Sequence, residues 1–382
     1  MKIIFKTLLG VAAAALVHSC ATAPSQTLSG LSPEKFVSEV NGKPTALYTL
    51  VNANGMEVCV TNFGGRIVSV MVPDRNGEMK DVVLGFDNVA NYADKVNTPS
   101  DFGASVGRYA NRINKGQIVI DGETIQLPQN NFGHCLHGGP DGWQYQVYDA
   151  VQPDNSTIVL TMESPDGDAN FPGAVTAVVT MKVTDDNAID ISYEAVTDKK
   201  TVINMTNHTY FNLSGDPTRR VDDHLMQIDA DNFTPVDFTF MTTGEILPVE
   251  GTPMDFRQPA AIGQDIKNFE FQQVKFGNGF DHNWCLNTAG DDTKVAARAW
   301  CPETGICLEV LTDEPGVQFY SGNFLNGSCT GKNGVTYQQS TGFCLETQKY
   351  PDTPNKPEWP SAFLEPGQKY TSHCVYRFST VE

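Results

Sequence analysis

The sequence predicts an all-β fold, a sandwich or barrel-like assembly of strands, from the residue types in its short runs, their alternation and the near-absence of helical period. Runs rich in Val, Ile, Thr, Phe and Tyr recur at Thr157–Met162, Ala174–Val183, Ala188–Val196, Lys294–Ala299, Ile306–Leu311 and His373–Phe378. Ile158, Leu160 and Met162, like Ile189, Ile191 and Tyr193, repeat every second residue, the period of a strand with one buried face. Turn signals punctuate the runs at Asp74–Gly77, Asp121-Gly122, Asp166-Gly167 and Pro315-Gly316. Only Ile262–Phe269 suggests a helical turn or two, and many strands with few helices pack sheet on sheet or close on themselves.

The elements follow in order. Residues 1–20 read as a secretion signal: Lys2 and Lys6 precede an apolar, alanine-rich stretch, Leu8–Val17, that is too short to anchor stably across a bilayer. Its end, Leu16-Val17-His18-Ser19-Cys20, resembles a lipoprotein cleavage box, in which the cysteine is lipidated and becomes the new N-terminus. The expected product is exported, periplasmic or held on a bacterial membrane by a lipid on Cys20. An ordinary signal peptide cleaved nearby gives export as well. Residues 21–30 then form a small, polar tether. Residues 31–382 contain no repeat, low-complexity segment or linker, and are read as one domain.

The net charge of −19 excludes nucleic acid, whose phosphates need a basic surface, and suits a neutral ligand better than a phosphorylated one. Setting Cys20 aside, eight of the nine cysteines remain, irregularly spaced and without a CxxC pair. Disulfides and buried free thiols both stay open.

Chemistry concentrates in three segments. In Thr201–Leu213 (TVINMTNHTYFNL), read as one strand, Ile203, Met205, Phe211 and Leu213 make an apolar face. Asn204, Thr206, His208, Tyr210 and Asn212 make a polar face suited to lining a cleft. In Gly342–Tyr350, Glu346 and Gln348 point opposite to Phe343 and Leu345, although a lone strand glutamate is more often solvated than catalytic. Asp101–Asn114 carries Arg108 and Arg112 among Gly and Asn, which suits a loop holding polar donors. His134, Cys135 and His137 lie too close in sequence to converge on one metal ion, so no metal site is assigned. Asp166–Asn170 echoes a calcium loop, but Phe171 replaces the required glycine and Ala177 the bidentate glutamate, leaving bound calcium without assignable ligands. No P-loop, GxGxxG or GxSxG occurs.

The segments Asn62–Arg66 (NFGGR), Gly107–Ile113 (GRYANRI), Leu136–Gly139 (LHGG), Ser164–Gly173, Asn207–Leu213 (NHTYFNL), Gly244–Phe256, Gly279–Asn283 (GFDHN), Val317–Leu325 and Leu345–Pro351 (LETQKYP) together resemble the aldose 1-epimerase family. They follow the family's order from about residue 45 to the C-terminus. The resemblance implies a large antiparallel β-sandwich of the galactose-mutarotase type, with an open sugar cleft on one sheet. It implies His208 as general acid and Glu346 as general base. It further implies Asn111, Arg112, His137 and Asp281 as sugar ligands, with Tyr210 and Gln318 as further candidates.

The expected reaction interconverts the α and β anomers of a free hexose such as galactose or glucose. It removes a proton from the C1 hydroxyl and delivers one to the ring oxygen, which a carboxylate and an imidazolium do without a cofactor. Mutual attraction is expected to favour ionised Glu346 and protonated His208. A monosaccharide is the expected partner and a monomer the simplest assembly. The rival readings are glycoside hydrolysis by Asp281 and Glu346, epimerisation of a hexose phosphate, and sugar binding without turnover.

Overall fold

The computed structural model describes residues 26–382. The signal, the cleavage box, Cys20 and the first part of the tether lie outside the described residues.

All six runs expected to be strands are strands, and they build most of one sheet. Its nine strands lie in the order Asp149–Asp154, Thr157–Ser164, Val175–Val183, Ala188–Thr197, Tyr370–Thr380, Ile306–Thr312, Val295–Trp300, Leu225–Ile228 and Ala260–Ala261. Every neighbouring pair is antiparallel. The burial of Val175–Val183 alternates along its whole length, so apolar residues at every second position turn into the core. The C-terminal strand Tyr370–Thr380 enters the middle of this sheet and joins its two halves.

A five-stranded sheet faces it, ordered Leu247–Pro248, Asn232–Thr234, Asp281–Cys285, Gly316–Tyr320 and Cys344–Gln348. Trp284, Val317, Phe319 and Leu345 of this sheet share one core with Val179, Ile191, Val310, Tyr376 and Phe378 of the larger one. The Tyr376 hydroxyl donates to the Leu345 carbonyl at 2.8 Å, bridging the layers where the core is otherwise apolar. Alternation does the rest: with the odd-numbered residues Val317, Phe319 and Leu345 facing the core, Gln318, Tyr320, Cys344 and Glu346 face away from it. A four-stranded sheet, Leu47–Val51, Glu57–Thr61, Arg66–Pro73 and Met79–Asp81, completes the sandwich.

Four expectations need correction or completion. Thr201–Leu213 is not one strand: Thr201–Val202 pairs with Phe363–Leu364, while Thr206–His208 pairs with Ala104–Val106. Between them the Asn204 amide donates to the Arg108 carbonyl and its carbonyl accepts from the Ala110 amide, while its side chain accepts from the Lys349 amide and donates to the Ala110 carbonyl. The tether stops short of residue 30, because Thr27–Leu31 is folded, with the Leu28 amide donating to the Glu57 carboxylate at 2.8 Å. Helix is less scarce than the sequence indicated, since Val89–Ala93 and Gln272–Gly277 are helical beside Ile262–Asp265. All eight described cysteines are buried free thiols. Among the described residues no helix is long and apolar enough to cross a membrane.

Candidate active site

Seven of the eight predicted site residues line one cavity of about 410 Å³: Asn111, Arg112, His137, His208, Tyr210, Asp281 and Glu346. The outward face of the five-stranded sheet supplies two of them through its register. Asp281 pairs with Tyr320, which pairs with Cys344, and along the strands Asn283, Gln318 and Glu346 stand side by side. The strand Thr206–His208 brings His208 to this face; its carbonyl accepts from the Gly103 amide at 3.0 Å.

His208 Nε2 lies 3.6 Å from Glu346 Oε1, both side chains being almost fully buried. That gap exceeds a hydrogen bond, so the two groups face each other without using up their bonding capacity. Glu346 Oε2 is buried with no partner among the described residues. The His208 ring stacks on Tyr210 at 5.1 Å, meets the edge of His137 at 5.2 Å, and sets Nδ1 3.5 Å from the Cys344 sulfur.

Two left-handed residues hold the opposite wall. Asn111, at φ 62°, and His137, at φ 51°, bond each other reciprocally: the Asn111 amide donates to His137 Nδ1 at 3.1 Å, and the His137 amide donates to the Asn111 carbonyl. The first glycine of LHGG has a steric reason, because a Cβ on Gly138 would sit 2.3 Å from the Gly107 carbonyl oxygen. Arg112 donates from Nε and Nη2 to Asn131 Oδ1 at 3.1 and 3.0 Å and lies 5.1 Å from the Phe240 ring centre.

Gln318, read as a further sugar-ligand candidate, is not among the residues lining the cavity but stands between Asn283 and Glu346 on the same outward face. Its Nε2 donates to Asp281 Oδ1 at 2.7 Å, and its Oε1 is buried with no partner among the described residues. Asn204 and Asn212 leave the expected polar face: Asn212 donates to the Arg219 and Thr341 carbonyls and is structural. Of that face, His208 and Tyr210 reach the cavity. Asp101 is a lining residue that the sequence did not mark; it sits in a loop with no periodic pattern.

Burial dominates the electrostatics. It pushes Glu346 well above the usual carboxylate range, the Asp281 and Asp101 charges add to this, and Arg112 opposes it. It pushes His208 down, against the charges of Asp101 and Asp281. The expected mutual stabilisation of an ionised pair is therefore corrected: removal from water outweighs attraction at this separation. His137 is driven down to about 3, also by burial, and stays neutral; since Nδ1 accepts, its proton sits on Nε2.

Among the described residues, two sets of groups have ligating atoms within 4.8 Å of one another: Asp101, His137 and His208, and His208, Cys344 and Glu346. In the second set, Cys344 addresses Nδ1 of His208 and Glu346 addresses Nε2, on different sides of the ring, which makes a chain of contacts rather than a cage. The echo of a calcium loop is spent locally: Asp166 accepts from the Gly173 amide and pairs with Lys199, and Asp168 accepts from Ser164.

The aldose 1-epimerase family model matches residues 46–377. A human galactose mutarotase is 39% identical over 324 residues, covering 85% of this chain and 91% of its own. The aldose 1-epimerase of Escherichia coli K12 is 38% identical over 341 residues, covering 88% and 96%. Among solved structures, an aldose epimerase homologue from C. elegans superposes with a TM-score of 0.81 at 30% identity, over 88% of this chain and all of its own. A galactose 1-epimerase from Lactobacillus acidophilus gives 0.79 at 29%, over 90% and 97%. Sequence, fold and the composition of the cavity converge, and the chain belongs to the aldose 1-epimerase family.

Proposed function

We propose that His208 and Glu346 are the acid and base of this isomerase, which interconverts the α and β anomers of a free hexose. The observation that carries the reading is the pair itself: an imidazole nitrogen and a carboxylate oxygen facing each other at 3.6 Å in a cavity that accommodates a monosaccharide. Glu346 takes the proton of the C1 hydroxyl while His208 gives one to the ring oxygen. The C1–O5 bond breaks to an open aldehyde, rotation about C1–C2 presents the other carbonyl face, and the steps reverse. Burial serves this chemistry in both directions. A glutamate with a raised pKa is a stronger base once ionised, and an imidazolium with a lowered one is a stronger acid. Both proton transfers use side chains of this chain and call on no bound cofactor.

Asn111, Arg112, His137, Tyr210 and Asp281 hold the ring and so make the transfers effectively unimolecular. Three carboxylates, Asp101, Asp281 and Glu346, face the cavity against Arg112. That balance disfavours a phosphate and supports a neutral sugar.

Polarimetry on freshly dissolved α-galactose and α-glucose, with the chain from Ser25 onward, tests the reading. Mutarotation should far exceed the spontaneous rate, and Glu346→Gln and His208→Asn should each lose roughly 10²- to 10⁴-fold. A wild-type rate equal to buffer, or release of sugar from a glycoside, would sink it. The charge and apolar pattern of residues 1–20 supports export with a lipid on Cys20. Cys20→Ala should move the enzyme from the membrane to the soluble fraction, and no change on fractionation would count against the anchor.

A further inference from the structure

Asp101 is held in place with more care than a loop residue needs. The buried Arg66 guanidinium donates to the carbonyls on both sides of it, Phe102 at 2.9 Å and Ser100 at 3.2 Å, and to the Gln144 carbonyl at 2.7 Å. The Asp101 carbonyl itself accepts from the Ala104 amide at 3.0 Å. The next residue, Phe102, packs edge-on against Tyr210 at 4.7 Å, the ring that stacks on His208. The backbone is thus fixed from three sides, yet carboxylate oxygen Oδ1 is buried with no hydrogen-bond partner among the described residues. Its ligating atom falls within 4.8 Å of those of His137 and His208.

We infer that Asp101 is a third carboxylate of the reaction centre, a positioning residue whose negative charge keeps the His208 imidazole protonated for donation to the sugar ring oxygen. The two carboxylates beside His208 then divide the work. Glu346 must lose its charge when it takes a proton, so its help to the imidazolium vanishes during the reaction. Asp101 is given no proton transfer in the proposed steps. Only one of the two neighbouring imidazoles can use that charge. His137 has Nδ1 committed as an acceptor of the Asn111 amide, so protonating it would break that bond, whereas His208 Nδ1 faces only the Cys344 thiol.

The other groups around His208 do not replace Asp101. Glu346 faces Nε2, Tyr210 and Tyr320 offer rings, and burial keeps both phenols and the Cys344 thiol protonated. Among more distant charges, Asp281 favours the imidazolium and Arg66 opposes it. Asp101 leads the charges that favour it, in the same direction as the geometry.

The inference rests on His208 as the proton donor, and the experiment separates its failure from failure of that assignment. In the chain from Ser25 onward, the His208 ring nitrogens are followed by NMR against pH, their signals identified by their loss in His208→Asn. Asp101→Asn should lower the His208 midpoint by about one pH unit, the effect of removing a close opposite charge. Asp101→Glu, which keeps the charge, should leave it near the wild-type value. The alkaline limb of the kcat/KM profile for mutarotation should move with the midpoint. A His208 midpoint unchanged in Asp101→Asn overturns the inference, even where the rate falls. A midpoint that moves while His208→Asn keeps full activity instead overturns His208 as the donor.

Discussion

Gln318 shows how a cavity-lining carboxylate is held from the next strand of the sheet. Its amide donates to Asp281 across the sheet, and Arg112 and this bond lead the forces that oppose the upward push of burial on the Asp281 carboxyl. Gln318→Leu removes a hydrogen bond to a charged group, worth about 1.5–3 kcal/mol. The KM for mutarotation should rise about tenfold or more while kcat changes less, as read from initial polarimetric rates against sugar concentration. A KM within about twofold of wild type would mean that Asp281 needs no support. Sequence placed Gln318 on the face of the site but not its bond to Asp281, because the strand period fixes the face and not the reach of a side chain. Asp101 was illegible for the opposite reason. It stands in an irregular loop, and what marks it is Arg66, far earlier in the chain and brought alongside only by folding.

The strand Tyr370–Thr380 carries an ionic clamp on the far layer from the cavity. His373 Nδ1 lies 2.8 Å from Asp292, and Nε2 lies 3.1 Å from Asp190 on the neighbouring strand Ala188–Thr197. Chiefly through the bond to Asp190, its pKa is raised to about 9. A group whose folded pKa is raised gives its full stabilisation below the unfolded value of about 6.5, and loses it as pH climbs through the folded one. Unfolding stability should therefore decline between pH 6.5 and about 9 in the wild type, and the decline should flatten in His373→Asn. Urea melts at about pH 6 and about pH 10 check this, and parallel losses in both proteins would dismiss the clamp. At this scale the sequence was most informative. Uniform strands such as Val175–Val183 declare themselves by period two, whereas Thr201–Leu213 kept the period across a change of pairing partner, from Phe363–Leu364 to Ala104–Val106. A change of partner strand leaves no trace in hydrophobic pattern.

Across the molecule, the family match starts at residue 46, but the folded body starts earlier. Leu31 and Phe36 are buried in a cluster with Phe63, Tyr92 and Tyr210, so the N-terminal segment packs into the apolar layer that includes a cavity-lining tyrosine. A chain beginning at Ala46 should lose at least about 3–5 kcal/mol, the cost of emptying a large buried site, whereas one beginning at Gln26 should melt like the longer form. Equal melting temperatures for the two would show the segment to be dispensable. The start of the domain near residue 31 was legible; this packing was not, because the turn Pro33–Phe36 and the three-residue strands Ser38–Val40 and Lys43–Thr45 are too short to show a period.

Eight thiols shut inside the sandwich turn the protein into its own clock. A thiol reagent in the surrounding solution meets the deepest of them only when part of the molecule opens. The order in which Cys59 in the four-stranded sheet, Cys344 in the five-stranded one and Cys374 in the nine-stranded one become labelled therefore records which layer parts first.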